Sequence, residues 1–331
     1  MRAVWYEKLG PAEAVLQIGT MPDPAPGPGE VLVRIGFSGV NPSDVKRRAG
    51  PATATIPFPR VIPNQDGAGI IDMIGAGVDP KRVGERVWLH STCWGRPFGT
   101  GADWAVTPDH RAIQLPSNVS LAAGASLGVP ALTAHRAVFG PGSATGKTVL
   151  VTGGAGAVGL YAIQLAKWAG ARVITTVSSD EKAALTRQAG ADHVVNYRQE
   201  TVADRVLALT GPVDHIVEVD FAANIATTLK VLKGNGTLST YASMSDRDPK
   251  IPFYALMNKN INVLWITVYD LTRAALDVGT RDVNAWLATG KAVFPPLHQF
   301  GFGDMVKAHL AVEQGAVGKI IVALGGENAG R

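Results

Sequence analysis

The stretch Val149-Leu-Val-Thr-Gly-Gly-Ala-Gly-Ala-Val-Gly159 constrains this chain more than any other. Its apolar, β-branched start reads as a buried strand, and Leu160-Tyr-Ala-Ile-Gln-Leu-Ala-Lys167 behind it carries helical periodicity. Between the two lies Gly154-x-Gly156-x-x-Gly159. A lone GxGxxG is weak, but strand, glycine turn and helix together form the dinucleotide fingerprint. The glycines permit a tight turn and close backbone approach. Gly154, Gly156, Ala157, Val158 and Gly159 are the candidate cofactor-binding residues here, because the helix that follows presents free N–H groups at its start to a pyrophosphate. The competing reading is an ordinary strand–helix turn that binds nothing.

From about Ser126 strands and helices alternate, which predicts a parallel sheet. Strands are expected at 148–152, 172–177, 193–195, 214–219, 236–241 and 262–267, with helices between them that include Asp180–Gln188 and Asn224–Leu232. Six strands make a Rossmann-type, doubly wound α/β domain. Residues 1–125 look β-rich instead. Apolar runs such as Val31–Ile35 and Ala68–Ile74 are parted by the turn-rich Pro22–Gly29 and Gly75–Pro80. A helix near Thr272–Thr289 and β-like pieces around 292–300 and 318–324 follow the last parallel strand. The expected division is therefore 126–268 for the dinucleotide domain, and 1–125 with 269–331 for the β-rich one. Two domains also suit a length of 331 residues.

Composition removes other classes. The net charge is +4, but its lysines and arginines are scattered, which argues against a nucleic-acid partner. No apolar run is long enough to span a membrane, and Met1-Arg-Ala-Val-Trp-Tyr-Glu7 has no signal-peptide core. A cytoplasmic location is expected. Cys93 is the only cysteine, so neither an intrachain disulfide nor a multi-cysteine zinc site is available. His90, His110, His135 and His215 show no mutual spacing for a metal or a catalytic dyad.

Further motifs stand in a fixed order: Gly39-Val-Asn-Pro-Ser-Asp44, Pro63-Asn-Gln-Asp-Gly-Ala-Gly69, Gly84-Glu-Arg-Val87, Gly128-Val-Pro-Ala-Leu-Thr-Ala-His-Arg136 and Ala316-Val-Gly-Lys319. With the glycine loop, they resemble the medium-chain dehydrogenase/reductase superfamily over nearly the whole chain. The resemblance is nearest to its zinc-independent quinone oxidoreductases, the ζ-crystallin-like branch, and implies a GroES-like catalytic domain. Where the superfamily's alcohol dehydrogenases carry zinc ligands, this chain has Asn41, Gln65 and Val129. Amide and valine side chains cannot replace thiolate and imidazole donors. Without a Lewis acid, substrates that spread the incoming charge themselves, quinones or enones, are the feasible ones.

On that resemblance Asn41 is a donor or positioning group near the nicotinamide, with Asp44 as its local partner. The alternative is that both merely tie down an Asn-Pro-x-Asp turn. At the end of the second strand Val177 occupies the place of the acidic residue that reads a ribose 2′-OH. Ser178 follows it and Lys182 lies one turn into the next helix, so NADPH is favoured. The resemblance adds Tyr197 on the adenosine phosphate side, Thr133 near the nicotinamide and Lys319 near that site, a surface lysine being the alternative for the last. Ala157 replaces a family glycine and needs a negative φ. Tyr241, Ala242 and Ser243, with Ile266, Thr267 and Val268, are expected to line the crevice. Trp94 and Phe98, in Cys93–Phe98 with Trp104 just beyond, either stack a flat substrate or cover a thin part of the first domain.

The expected function is an NADPH-dependent, metal-independent quinone reductase, with the quinone in an interdomain cleft. One alternative is reduction of the C=C bond of 2-alkenals or enones, with water or Tyr6 as proton donor. Another is a cofactor-bound structural or RNA-binding protein of the ζ-crystallin kind. An apolar edge near Asn262–Val268 predicts a homodimer.

Overall fold

The computed structural model describes residues 1–51 and 55–325. They form two compact units, one from Met1–Val129 with the chain from Pro296 onward, the other Pro130–Pro295.

The first unit is built on strands. β1 (Arg2–Trp5) and β2 (Gln17–Thr20) make an antiparallel ribbon. β3 (Glu30–Val40) pairs antiparallel with β4 (Asp66–Ile74), which pairs with β5 (Arg86–Leu89). β6 (Trp104–Pro108) joins β3, and β7 (Ala112–Gln114) joins β5. The short helix Pro42–Ala49 leaves β3 with Pro42 at its first position and Asp44 in its first turn, and basic residues fill its last turn. That order suits both proline's missing N–H and the helix dipole.

In the second unit β8 (Thr148–Val151), β9 (Arg172–Val177), β10 (His193–Asn196), β11 (Val213–Glu218), β12 (Leu232–Thr240) and β13 (Asn262–Trp265) form one parallel sheet. Its order is β10-β9-β8-β11-β12-β13. The order reverses between β8 and β11, the switch point at which ligands bind outside the carboxyl ends of the strands. Strand burial is nearly continuous in β8, β9 and β11, as a sheet covered on both faces requires. The chain then returns to the first unit. β14 (Leu297–Gly301) pairs parallel with β15 (Lys319–Ala323), and β15 pairs antiparallel with β3.

The six expected parallel strands are all present, with ends shifted by a few residues. The assignment of 269–295 to the β-rich domain is corrected: this segment belongs to the second unit. Helix Arg273–Ala288 has a buried face that includes Val283, Trp286 and Leu287, and it needs a partner for that face. Trp286 meets Tyr161 edge-on, with ring centres 5.8 Å apart. His135 Nε2 lies 3.0 Å from Asp282 Oδ2. The Gln164 amide then grips both backbone groups of Val293, at 2.8 and 2.7 Å. Among the described residues no helix is long and apolar enough to cross a membrane. Trp286→Ala is expected to cost about 3–5 kcal/mol in denaturant unfolding, the usual range for a buried tryptophan. A loss below about 1 kcal/mol would show that this helix is not packed in the core.

Candidate functional site

Three strands of the first unit converge on one polar cluster. Asn41 follows the end of β3, Asp66 opens β4 and Lys319 opens β15. Register places Gly39 opposite Asp66 and Val40 opposite Ile320, so the three side chains meet. Lys319 Nζ donates to Asn41 Oδ1 at 2.6 Å and to Asp66 Oδ2 at 3.1 Å, and Asn41 Nδ2 donates to the same Asp66 oxygen at 2.7 Å. The second Asp66 oxygen accepts from Val129 N at 2.8 Å. Gly128 makes that approach possible, because a Cβ there would stand 2.1 Å from Asp66 Oδ1. Asn41, Asp66 and Lys319 are 2%, 0% and 3% exposed. Such a buried pair needs further hydrogen bonds beside its own, and here Asn41 Nδ2 and Val129 N donate to Asp66 while Asn41 Oδ1 accepts from Lys319.

The cluster fixes the Asn41 amide. Turning it over would set an NH2 against an ammonium and an oxygen against a carboxylate. In the orientation present, one of its two Nδ2 hydrogens is committed to Asp66 and the other is left to donate.

Asp44 sits behind this amide. Its two oxygens accept from the backbone N–H groups of Asn41 (2.8 Å) and Gln65 (3.1 Å). Those bonds favour the ionised form, yet burial and then the Asp66 charge outweigh them and push Asp44 up to about 7. Gln65 in turn accepts from Cys93 N at 3.2 Å. Burial, followed by the Asp44 charge, pushes the Cys93 thiol well above its ordinary value, which leaves it protonated and inert. Tyr6 is buried nearby and is pushed up to about 12, mainly by burial.

The second unit gathers its own group at the carboxyl ends of its strands. Between β8 and helix Ala157–Trp168 the glycines do different things. A Cβ on Gly154 would fall 1.9 Å from Thr175 Oγ1, and one on Gly159 would fall 2.5 Å from Gly153 O. Gly154 and Gly159 therefore serve close packing of turn, strand and helix. At Gly156 the nearest atom to a Cβ is 3.4 Å away, so its missing side chain keeps the open side of the turn clear. Gly156 caps the helix without a side-chain partner, and Ala157 is not among the residues with positive φ. Ala157, Val158 and Gly159 thus start a helix whose first N–H groups face an uncrowded turn, a cradle that fits a pyrophosphate.

Beyond β9, Lys182 Nζ donates to Ser178 Oγ at 2.8 Å, and Tyr197, half exposed after β10, donates its N–H to Val177 O at 3.0 Å. Ser178, Lys182 and Tyr197 are thereby brought together beside a buried Val177. Asp180 and Glu181 lie in the first turn of the helix that Ser179 caps. Tyr241, Ala242 and Ser243 follow β12, and Ile266, Thr267 and Val268 follow β13, at the same edge of the sheet. Ala242 O accepts from Phe221 N, and Ile266 N donates to Thr240 O. Thr133 is buried in helix Gly128–Phe139.

One group escaped the sequence reading. Glu218 ends β11 and is 1% exposed. Its Oε1 accepts from Thr152 Oγ1 (3.0 Å), Asp220 N (2.6 Å) and Asn224 Nδ2 (2.8 Å), while Oε2 has no partner among the described residues. Burial pushes it up to about 7. A carboxylate closing the apolar run Val213–Glu218, at the carboxyl end of a parallel strand, was the available signal.

The chain is similar to known proteins along most of its length. A family model described as zinc-binding dehydrogenase matches residues 157–279, and one described as alcohol dehydrogenase GroES-like domain matches 27–117. The quinone oxidoreductase of Rattus norvegicus is 34% identical over 239 residues, 71% of each chain. The chain belongs to the quinone oxidoreductase family of the medium-chain dehydrogenase/reductase superfamily. A solved quinone oxidoreductase from Pseudomonas syringae pv. Tomato DC3000 superposes with a TM-score of 0.86 at 27% identity, covering 97% of this chain and 99% of that one. A mycobacterial protein solved in complex with NADPH gives 0.85 at 27% identity, over 98% and 99% of the two chains.

Within this family scaffold the aromatic loop divides. The Arg47 guanidinium lies over the Trp94 ring, 5.3 Å from its centre. Phe98 is half-buried and packs against the small core of Ala3, Ile62 and Ala102, as the covering reading of this loop expects. Lys319, for which a surface position was one reading, is instead the buried cation of the polar cluster. Asp44, expected as a partner of Asn41, holds that residue's backbone and not its amide.

Raised carboxyl values carry a sign. Folded Asp44 and Glu218 hold protons that the unfolded chain releases near pH 4, so stability falls as pH rises from about 4 to 7 and levels off above. Glu218→Gln keeps a neutral acceptor for the same three donors. Denaturant unfolding across pH should show its stability curve flattened by up to about 1.4 kcal/mol per pH unit in that window. A curve parallel to the wild type would mean Glu218 is ionised throughout.

Proposed function

We propose that this chain is an NADPH-dependent quinone reductase that works without a metal ion. The observation that carries the reading is the Asn41–Asp66–Lys319 cluster. Asn41 stands at one of the places where the resembled zinc enzymes carry a metal ligand, and the Lys319 ammonium and the Asp66 carboxylate orient its amide. Among the described residues no three His, Cys, Asp or Glu side chains come together to hold a metal ion.

Bound at the glycine turn, NADPH supplies the hydride. The N–H groups that open helix Ala157–Trp168 hold its pyrophosphate, and the turn is narrow enough to exclude a side chain at Gly154 and Gly159. Lys182, Ser178 and Tyr197 receive the adenosine 2′-phosphate. Lys182 brings the positive charge, and Val177 brings no carboxylate to repel it. Tyr241–Ser243, Ile266–Val268 and Thr133 complete the lining on the nicotinamide side. Asn41 directs its free Nδ2 hydrogen to the acceptor oxygen, where charge develops as the hydride arrives. A quinone delocalises that charge over its ring, so one preoriented donor suffices. Asp66 and Lys319 keep the amide facing one way. Asp44 is a positioning residue for the turn that presents it. Trp94 offers an aromatic face to a flat substrate.

The test is oxidation of NADPH and NADH against ortho- and para-quinones and 2-alkenals, with a chelator present throughout. Chelator-resistant, NADPH-selective turnover of quinones is expected. Asn41→Ala should lower kcat by roughly 10–100-fold, less than a full oxyanion donor because the charge is delocalised. Lys182→Ala should cut the preference for NADPH about tenfold or more through KM. Turnover confined to alkenals would move the chain to C=C reduction. No turnover with any acceptor would leave a cofactor-bound binding protein.

We further read the enzyme as a cytoplasmic homodimer. β13 is the last strand of its sheet, and Trp265 on it is 56% exposed. Sedimentation velocity should show a two-chain species, and a single-chain species at micromolar protein would remove this reading.

A further inference from the structure

The first unit carries a second set of recognition groups, away from the Asn41 cluster, on the strands β6, β3, β4 and β5. Register places Trp104 opposite Arg34, Arg34 opposite Ile70, and Ile70 opposite Arg86. Residues paired this way project from the same face of a sheet, so the four side chains form a row. They border a cavity of about 780 Å³, which Arg2, Asp103 and Leu121 also line.

Among the described residues the charges of this cavity are unbalanced, with three guanidinium groups facing it against one carboxylate. That carboxylate, Asp103, is committed to Arg2 through hydrogen bonds of 2.7 and 3.1 Å. Arg2 is further held by the Leu324 carbonyl. Arg86 donates to Val119 O at 2.6 Å and, at 3.5 Å, to Ser117 O, which fixes its arm, and it forms no ion pair among the described residues. Arg34 is exposed and makes no hydrogen bond or ion pair among the described residues. Arg34 and Arg86 stand two strands apart, about 10 Å at their backbones, a distance that two arginine side chains easily close. Like charges arrayed across a sheet repel, and an anion between them removes the repulsion. Beside the charges lie Ile70, Leu121 and the Trp104 ring, so a fully hydrated inorganic ion would leave much of the lining unused.

We propose that this cavity binds an organic anion with a flat apolar body, an aromatic carboxylate. The carboxylate bridges Arg34 and Arg86 in the planar, forked geometry that guanidinium favours. The ring lies against Trp104 with Ile70 and Leu121 beside it. The site shares no residue with the glycine turn or the Asn41 cluster, so its occupation is separable from turnover.

Titration calorimetry of the intact protein with 2-naphthoate tests this, with and without saturating NADPH. One-to-one binding is expected, weakened by added salt, and at least tenfold weaker in Arg34→Gln. Arg34 is exposed and forms no hydrogen bond or ion pair among the described residues, so this variant keeps the fold. Trp104→Leu should also weaken it, and 2-naphthalenemethanol, the neutral counterpart, should bind at least tenfold more weakly. Inorganic phosphate should compete poorly. Absence of saturable binding, equal affinity in Arg34→Gln, or equal affinity for the neutral alcohol would overturn the proposal. Quinone turnover by Arg34→Gln should match the wild type. Loss of turnover in both proteins would count against the proposed reductase function and leave the binding result standing.

Discussion

The ion pair between Lys319 and Asp66 holds the first unit together in both senses, architectural and chemical. A carboxylate with no exposed surface survives only beside an opposite charge and with its lone pairs engaged. Lys319 supplies the charge, while Asn41 and the Val129 amide supply the remaining hydrogen bonds. Because the three side chains come from the ends of β3, β4 and β15, satisfying Asp66 also sets the registration of those strands. The same bonds orient Asn41. Stability and chemistry thus use one arrangement, and nothing about the amide's direction is left to thermal averaging. The amide is oriented by hydrogen bonds to charged groups, the strong kind.

The second unit organises its site by exclusion. Thr175 and the Gly153 carbonyl crowd two of the three fingerprint glycines, and at the third a Cβ would make only an ordinary contact. Pattern matching treats the three as equivalent, but packing separates two crowded positions from one that has room. Glu218 adds a group of another kind. One oxygen is saturated with donors and the other has none, a state that suits a carboxyl holding its proton better than a carboxylate.

What could be read from the sequence followed the range of the interactions involved. The parallel strands declared themselves through apolar runs, and the glycine turn through its flanking strand and helix. That Ser178 and Lys182 lie beyond the end of the second parallel strand was legible because a parallel sheet fixes where its strand ends lie, whereas Tyr197 was reached through the resemblance. The helix Arg273–Ala288 was misassigned because its partner, Tyr161, sits more than a hundred residues away and no local pattern marks it. Phe98 was left with two readings for a related reason: an aromatic residue in a loop looks alike whether it faces a ligand or a small core. The roles of Asp66 and Lys319 depended on register between distant strands, which no spacing in the sequence encodes.

Asp66 and its counter-charge are 253 residues apart, and the entire second unit is synthesised between them. During translation, β3 and β4 leave the ribosome long before β15, carrying a carboxylate whose burial still lacks its cation. Contacts of such high sequence separation form late. The second unit, continuous in the chain, can therefore fold while the first is still waiting. A ribosome stalled between the two would present a finished dinucleotide fold attached to an open sheet, which is the kind of intermediate that chaperones bind.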